Sequence, residues 1–271
     1  MYRFLLKPRW IAFTLLIAAL MVSMLGLAKW QVSRYHTKVD RRDLVEARLA
    51  QPAVDVTTVI DPTMSTKDAD THEWTIVTAS GRYDPAGQVL IRNRSQGGFP
   101  GYHVVTPLVL DSGALVLVNR GFIPLSSQSA PPTPPSGPVS LNGRLHNSQT
   151  RGSFGPTDPA TGVLTELARV DVARIAQQLD GQVLPSYIEL VSQQPAVTDG
   201  DPKIVDPPDI DLGPHLSYAG QWVIFTLCAL AGWIIVVRRT ARKSMSAKEI
   251  VSAPVASTDP TTPSPEDVNL H

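Results

Sequence analysis

Few side chains in this sequence have types and spacings that could do chemistry, and most of them form no familiar catalytic or metal-binding pattern. The 271 residues include six histidines and one cysteine, Cys228. A single cysteine rules out a disulfide within the chain and any paired-cysteine copper or zinc site. His36, His72, His103 and His146 share no spacing typical of metal ligands. The sequence also lacks a Gly-x-Ser-x-Gly elbow, an HExxH motif and a phosphate-binding loop, so we expect no enzymatic activity.

One set of polar and aromatic residues falls along a single face of a predicted helix. His215, Tyr218, Trp222 and Phe225 are spaced i, i+3, i+7 and i+10 from the start of that helix. An imidazole beside aromatic rings could ligate a metal and stack on a flat ligand. The alternative is an interfacial role, because tyrosine and tryptophan collect at membrane surfaces and a histidine there can bind water or lipid.

Two apolar runs, at residues 11–27 and 218–237, predict transmembrane helices. Trp10 and Trp30 are twenty residues apart, about 30 Å in a helix, which matches the hydrocarbon thickness of a bilayer. Tryptophans at both ends of a run are typical of interfacial anchors. A cleaved signal peptide is the alternative for the first run, since Gly26-Leu27-Ala28 is a small-x-small site, but the run is long for a signal core.

The charges that flank the second run predict the topology. A basic cluster follows this run and acidic residues precede it, which places residues 238–271 in the cytoplasm. Two spans then place residues 1–10 in the cytoplasm and residues 28–214 outside. The basic stretch 29–42 does not oppose this, because it precedes a loop of about 190 residues and long loops translocate largely regardless of charge. We predict a bacterial plasma-membrane protein with both termini cytoplasmic.

The extracytoplasmic region predicts a mainly-β (α+β) domain between the two transmembrane α-helices. A helical stalk at 28–51, which lacks glycine and proline, leads to β-rich segments between 74 and 191. Asp111-Ser112-Gly113 predicts a hairpin loop, and Asp171 caps a predicted helix at Val172–Leu179. We expect antiparallel strands in a small barrel or an open sheet. The strands are Trp74–Tyr83, Gln88–Arg92, Tyr102–Leu110, Ala114–Asn119, Val139–His146 and Tyr187–Val191.

The remaining segments predict irregular structure. Residues 130–138, with five prolines, form an extended loop, and residues 201–214 form a proline-rich acidic linker. After Ser244 the chain has too few large apolar residues to pack, which predicts a disordered cytoplasmic tail behind the basic flank. The formal net charge is zero, and no basic patch lies outside the membrane flanks, which excludes nucleic-acid binding.

Several motifs, in order along the chain, resemble the Surfeit-locus-one family of cytochrome c oxidase assembly factors. Residues 28–34, AKWQVSR, are similar to the family's Gly-x-Trp-Gln-x-x-Arg, with Ala28 in place of the glycine. Residues 215–222, HLSYAGQW, are similar to its His-Leu-x-Tyr-Ala-x-Gln-Trp. Between them lie residues 97–108, GGFPGYHVVTPL, and 118–124, VNRGFIP, flanked by Gly81-Arg82-Tyr83 and Gly143-Arg144-Leu145. The resemblance extends from about Trp10 to Val237.

This resemblance implies a non-catalytic assembly factor for aa3-type cytochrome c oxidase that assists haem a insertion into the catalytic subunit. The implied partners are the oxidase subunits, chiefly the haem-bearing one, and the lipid bilayer, with haem a bound transiently. His215 is then the candidate ligand of the haem iron, with Tyr218 and Trp222 against the ring. Arg120 could hold a haem propionate or an acidic loop of the oxidase, and its alternative role is a salt bridge that closes the sheet.

Two other functions fit the same sequence. The chain could be an accessory subunit, stably bound to the oxidase or a respiratory supercomplex without haem, and small residues at Ala19-x-x-x-Ser23 and Cys228-x-x-x-Gly232 would allow close helix packing. It could also be a membrane-anchored ligand sensor, although its tail lacks a folded output domain. Co-purification with oxidase subunits would separate the first two functions from the sensor. A Soret band would separate haem handling from the accessory role.

The predicted topology is tested by cysteine labelling in whole cells. A cysteine placed at Ser127 should react with a membrane-impermeant reagent, whereas one placed at Ser257 should not, because the basic flank keeps the tail in the cytoplasm. The unaltered chain, whose one cysteine lies in the second apolar run, is the control. Labelling at Ser257 would contradict the topology.

Overall fold

Hydrophobic periodicity separates this chain into long helices at its ends and strands in its middle. The computed structural model describes residues 2–127, 131–153, 155–198 and 200–252. Of these, residues 2–38 and 212–252 form a helical unit, and Val39–Asp211 form a β-rich unit. The prediction of two apolar helices and a β-rich domain is confirmed.

The helices and strands are numbered in chain order. The helices are α1 (Pro8–Leu49), α2 (Val56–Val59), α3 (Thr66–Ala69), α4 (Val172–Ala176) and α5 (His215–Ser252). The strands are β1 (Val54–Asp55), β2 (Ile76–Tyr83), β3 (Val89–Gln96), β4 (Phe99–Leu110), β5 (Leu115–Pro124), β6 (Pro138–Asn147), β7 (Glu166–Leu167) and β8 (Val183–Gln194).

Both long helices extend beyond their apolar runs. Each is long and apolar enough to cross a membrane. α1 begins at Pro8, a residue that suits the first position of a helix, and continues without a break through the charged stretch 28–49. α5 continues to Ser252, so the first part of the segment predicted as a disordered tail is helical. Residues 253–271 of that tail lie outside the described residues.

The helical unit is an antiparallel pair of α1 and α5. Trp233 Nε1 donates a hydrogen bond to Thr14 Oγ1 at 3.2 Å, and His215 Nδ1 lies 2.8 Å from Gln31 Oε1. The less exposed positions on each helix recur at alternating intervals of three and four, the spacing of a helix-packing seam. On α1 they are Thr14, Ile17, Met21, Met24, Ala28, Gln31 and Tyr35, and on α5 they are His215, Ala219, Trp222, Thr226, Ala229 and Trp233.

The β-rich unit is a closed barrel, which decides between the two predicted arrangements. The strands β2, β6, β8, β5 and β4 pair in that order, and β4 pairs with β2 again to complete the ring. Gly81 lies in this closing pair, opposite Leu110, where a Cβ atom would overlap the carbonyl oxygen of Val109. Most neighbouring strands are antiparallel, as predicted, but β5 and β8 are parallel, as are the short pairs β1–β2 and β3–β7.

The two faces of the strands pack against different groups. Alternate residues of the barrel strands point inward and form the main core, which includes Val77, Leu108, Val118 and Ile188. Part of the outer surface forms a second core with α4 and the segment before it, including Ile175. The predicted helix at Val172–Leu179 is α4, which ends at Ala176 and is capped by the Asp171 side chain.

Several strands are longer than the sequence predicts. β5 continues to Pro124, so Arg120 lies within a strand and not at its end. Phe99, Pro100 and Gly101 belong to β4, although their composition is typical of a loop. All three pair with the end of β3. Gly101 also lies opposite Pro124 of β5, so close that a Cβ atom would overlap the carbonyl oxygen of Ile123.

Candidate functional site

The helical unit positions His215 at the first residue of α5. Gly213 adopts a φ of +66°, a left-handed conformation that favours glycine, and Pro214 follows it. The backbone N–H of Tyr218 donates to the carbonyl of Pro214 at 3.1 Å, which starts the first helical turn. The imidazole is therefore attached to a rigid element, half-buried against α1.

A hydrogen bond to Gln31 sets the orientation of the His215 ring. The Nδ1 atom lies 2.8 Å from Gln31 Oε1, and an amide oxygen can only accept a hydrogen bond. Nδ1 therefore carries a proton in this contact, and in the neutral form of the ring Nε2 is left with the lone pair with which histidine binds metals. Fixing one ring nitrogen in this way is how proteins commonly prepare the other as a ligand.

The chain neighbours of His215 include a glycine and aromatic residues of α5. A Cβ atom at Gly213 would lie 3.8 Å from Nε2, in ordinary van der Waals contact with the ring. Trp222 is half-buried and meets Phe225 edge to face, with ring centroids 6.0 Å apart. Tyr218 is 49% exposed. The three residues predicted on α5 thus lie within its first turns, at spacings that place them on one face of the helix.

Arg120, the fourth predicted site residue, belongs to the β-rich unit and points into the end of the barrel. It is 2% exposed. Its Nη1 atom donates to Gln88 Oε1 at 3.2 Å and to the carbonyl of Pro132 at 3.0 Å. Its Nη2 atom donates to the carbonyl of Thr133 at 3.3 Å and to Asp201 Oδ1 at 3.0 Å.

These bonds give Arg120 a structural task. They tie the proline-rich loop and the start of the acidic linker to the barrel, and the guanidinium also lies 5.5 Å from the ring centre of Tyr83. Burial lowers the pKa of Arg120, while Tyr83 and Asp201 oppose that shift. The salt bridge expected as the alternative role is present. A propionate contact stays a prediction, and it would require exchange of the Asp201 carboxylate.

A row of buried polar residues on the outer face of the strands was not predicted. Asn119 Nδ2 lies 3.2 Å from His103 Nδ1, and Arg144 pairs with Glu189 at 2.8 Å. Burial, with Arg94 nearby, lowers the pKa of His103 to about 4, so it is neutral and its Nδ1 can accept from the amide. In the sequence, this row is indicated only by polar residues at alternate positions of otherwise apolar strands.

His146 is the titratable residue at the end of that row. Burial lowers its pKa, but hydrogen bonds and charge from Glu189 and Glu73 outweigh burial, and the net shift is upward. Its ring stacks on Tyr187, with centroids 5.3 Å apart. Among the described residues, no group of three or more His, Cys, Asp or Glu side chains could hold a metal ion.

The similarity of this chain to known proteins extends over the helices and strands that carry the candidate site residues. The profile of the SURF1 family matches residues 18–227, from within α1 to the first turns of α5. The chain belongs to the SURF1 family. It is 31% identical over 234 residues to an uncharacterized SURF1-like protein of Mycobacterium tuberculosis, covering 84% of this chain and 83% of that one. The resemblance to the Surfeit-locus-one family is confirmed.

More distant SURF1 relatives come from animals. The chain is 30% identical over 165 residues to Surfeit locus protein 1 of Xenopus tropicalis, covering 54% of this chain and 52% of that protein. It is 25% identical over 253 residues to a SURF1-like protein of Caenorhabditis briggsae, covering 84% of this chain and 76% of that one. His215, Tyr218, Trp222 and Arg120 all lie within the region that matches the family profile.

The structural task of Arg120 is tested by removing the charge of its partner. Asp201→Asn should lower the free energy of unfolding by about 2–3 kcal/mol, because it leaves a buried guanidinium without a carboxylate. Asp209→Asn, at an exposed position in the same linker, is the matched control and should change stability by less than about 0.5 kcal/mol. Chemical denaturation of the full chain in detergent, followed by near-ultraviolet circular dichroism, measures both. Equal stability of the two variants would contradict the assignment.

Proposed function

We propose that this protein is a membrane-bound assembly factor for aa3-type cytochrome c oxidase that assists the insertion of haem a into the catalytic subunit. Oxidase assembly is the role for which the SURF1 family is generally known. The observation that carries the haem proposal is the hydrogen bond between Gln31 and His215, which leaves Nε2 with its lone pair at the start of α5. The protein positions a cofactor in this role and catalyses no reaction.

Membrane insertion is part of the proposal and is supported by the two long helices. Both have an apolar stretch of sufficient length, and most of that stretch is not covered by protein. A lipid environment would cover this surface. The basic residues after Val237 favour a cytoplasmic location for that end, so His215 would lie at the extracytoplasmic surface of the bilayer. The β-rich unit would then be extracytoplasmic.

The residues around His215 fit a haem by their chemistry. A haem iron needs one or two axial ligands, and a neutral imidazole is a common one. Trp222 and Phe225 offer apolar aromatic surface, of which one ring face could lie against a macrocycle because the two rings meet at 86°, and Tyr218 is exposed beside them. Haem a, when bound, would supply the redox-active group that the oxidase requires. The task of this chain would be to hold it, shield it from water and release it to the catalytic subunit.

A stable accessory subunit that carries no haem is the second candidate. The exposed small-residue face of α1 favours this function. There Ser23 Oγ donates a hydrogen bond to the carbonyl of Ala19, so its hydroxyl needs no partner outside the helix. Such a face allows another helix to approach closely. This function would need no ligand at His215, so the haem content of the purified protein separates the two candidates.

Complementation of a gene deletion tests the oxidase role. Deletion should lower the spectral haem a and the oxidase activity of membranes while transcription of the oxidase subunits stays unchanged. His215→Ala should fail to restore them, because it removes the proposed ligand while keeping both apolar helices. His36→Ala, which removes an exposed histidine of α1, should restore them fully. Normal haem a and respiration in the deletion strain, with no paralogue present, would contradict oxidase assembly.

Haem titration of the purified variants tests the positioning role of Gln31. Gln31→Leu should weaken haem binding by about tenfold or more, since loss of a partner that orients a ligand typically costs 10–100-fold in metal affinity. Gln51→Leu, at an exposed position near the end of α1, should bind like the unaltered protein. His215→Met should keep binding with an altered spectrum, because a thioether can also be an axial ligand. Unchanged affinity of Gln31→Leu would contradict this role.

A further inference from the structure

A groove lies at the opposite end of the helical unit from His215. It has a volume of about 390 Å³ and is lined by Arg9, Trp10 and Phe13 of α1 and by Val236 and Thr240 of α5. The Trp10 ring packs edge to face against Phe4 at 4.9 Å and against Phe13 at 5.9 Å, measured between ring centroids. These aromatic contacts make one wall of the groove rigid and apolar.

One basic residue, Arg9, lines this groove, and helical spacing places two more beside it. Val236, Arg239, Thr240 and Lys243 are spaced i, i+3, i+4 and i+7, so the two basic residues share a helix face with the two lining residues. Arg9 lies on the facing helix, and all three basic residues are exposed. The sequence contains no aspartate or glutamate in residues 1–39 or 212–248, and the one acidic residue of α5 is Glu249, six residues after Lys243.

We propose that this groove binds one anionic phospholipid. An acyl chain would occupy the apolar part, against Trp10, Phe13 and Val236, and the phosphate would accept hydrogen bonds from Arg9 and Arg239. Basic pockets between helices at the cytoplasmic surface are the usual sites for anionic head groups, and an arginine can bind a phosphate with two parallel hydrogen bonds. This inference rests on the proposed membrane insertion, but it concerns a different site from the haem contact.

Charge and shape together select a lipid over other occupants. A free phosphate would use the arginines but gain nothing from the apolar wall. A helix of a partner protein would use the wall, but a typical transmembrane helix has no anion to place beside Arg9 and Arg239. Only an amphiphile with an acidic head group satisfies both parts of the groove.

Native mass spectrometry of the full chain in detergent tests the proposal. Phosphatidylglycerol and phosphatidylcholine with identical acyl chains are the two probes. The unaltered protein should retain one phosphatidylglycerol with an apparent affinity about tenfold higher than for phosphatidylcholine, because only the anionic head group gains from the basic residues. Glycerophosphoglycerol, which lacks acyl chains, should not displace the bound lipid at equal concentration.

Two double variants, each with two positive charges fewer, distinguish a specific lipid site from general electrostatic attraction between the protein and anionic lipids. Arg9→Gln with Arg239→Gln should abolish the preference for phosphatidylglycerol. Arg238→Gln with Arg242→Gln should preserve it, because those residues lie on the far side of α5 from the groove. A third variant, Thr240→Trp, should fill the groove and reduce retention of both lipids.

Three results would overturn the proposal. They are equal binding of the two lipids by the unaltered protein, equal loss of preference in both double variants, and unchanged retention in Thr240→Trp. Failure of the haem proposal has a separate readout, since it would show as a missing Soret band in the unaltered protein. The variant with both Arg9 and Arg239 replaced should keep that band. Arg239 lies 24 residues after His215 on α5, and Arg9 lies 22 residues before Gln31 on α1.

Discussion

Two side-chain hydrogen bonds at opposite ends of the helical unit fix how α1 and α5 pair. Gln31 bonds to His215 near one end, and Thr14 bonds to Trp233 nearer the other. In an apolar environment a polar side chain without a partner is costly, so sliding one helix along the other would break both bonds without replacement. Both proposed binding sites depend on this register. It brings the amide to the imidazole, and it places Arg9 and Trp10 beside Val236 and Thr240.

The β-rich unit follows a different principle, because its buried arginines bind groups that are distant in the sequence. Arg120 bonds to a side-chain amide, two backbone carbonyls and a carboxylate, so its charge stabilises two irregular segments against the barrel. On the outer face the Arg144–Glu189 pair joins β6 to β8, and Arg144 Nη2 also donates to the carbonyl of Val205 at 3.5 Å. Breaking such a pair is costly because one charge is left buried alone. These residues explain how the barrel holds its loops, and the proposed ligand contacts lie on the helices.

The sequence predicted those features that local patterns determine. The two apolar runs, the β-rich domain, the hairpin at Asp111–Gly113 and the Asp171 cap each leave a signal within a few neighbouring residues. Strand ends were predicted too short at Gly101 and Arg120, because glycine and proline composition indicates a loop, while pairing with a neighbouring strand holds these segments extended. The closure of the barrel could not be predicted, since the β2–β4 contact depends on the register of all five strands.

The partner of His215 lies 184 residues away in the sequence, and no periodicity indicates such a contact. Tyr218 and Trp222 could be placed beside His215 because helical spacing brings them together. Gln31 appeared only as one letter of a motif, and its role emerged from the pairing of the two helices. The same holds for the basic groove, whose two walls come from opposite ends of the chain.

The central claim is that His215 Nε2 binds the iron of haem a, and resonance Raman spectroscopy of the ferrous haem-loaded full chain tests it most directly. The chain would be produced with ¹⁵N-labelled histidine, so that any iron–imidazole stretching band shifts with the isotope. We predict an isotope-sensitive band in the unaltered protein and in His36→Ala, and no such band in His215→Ala. A band that persists unchanged in His215→Ala, or its absence from the unaltered protein, would contradict the account.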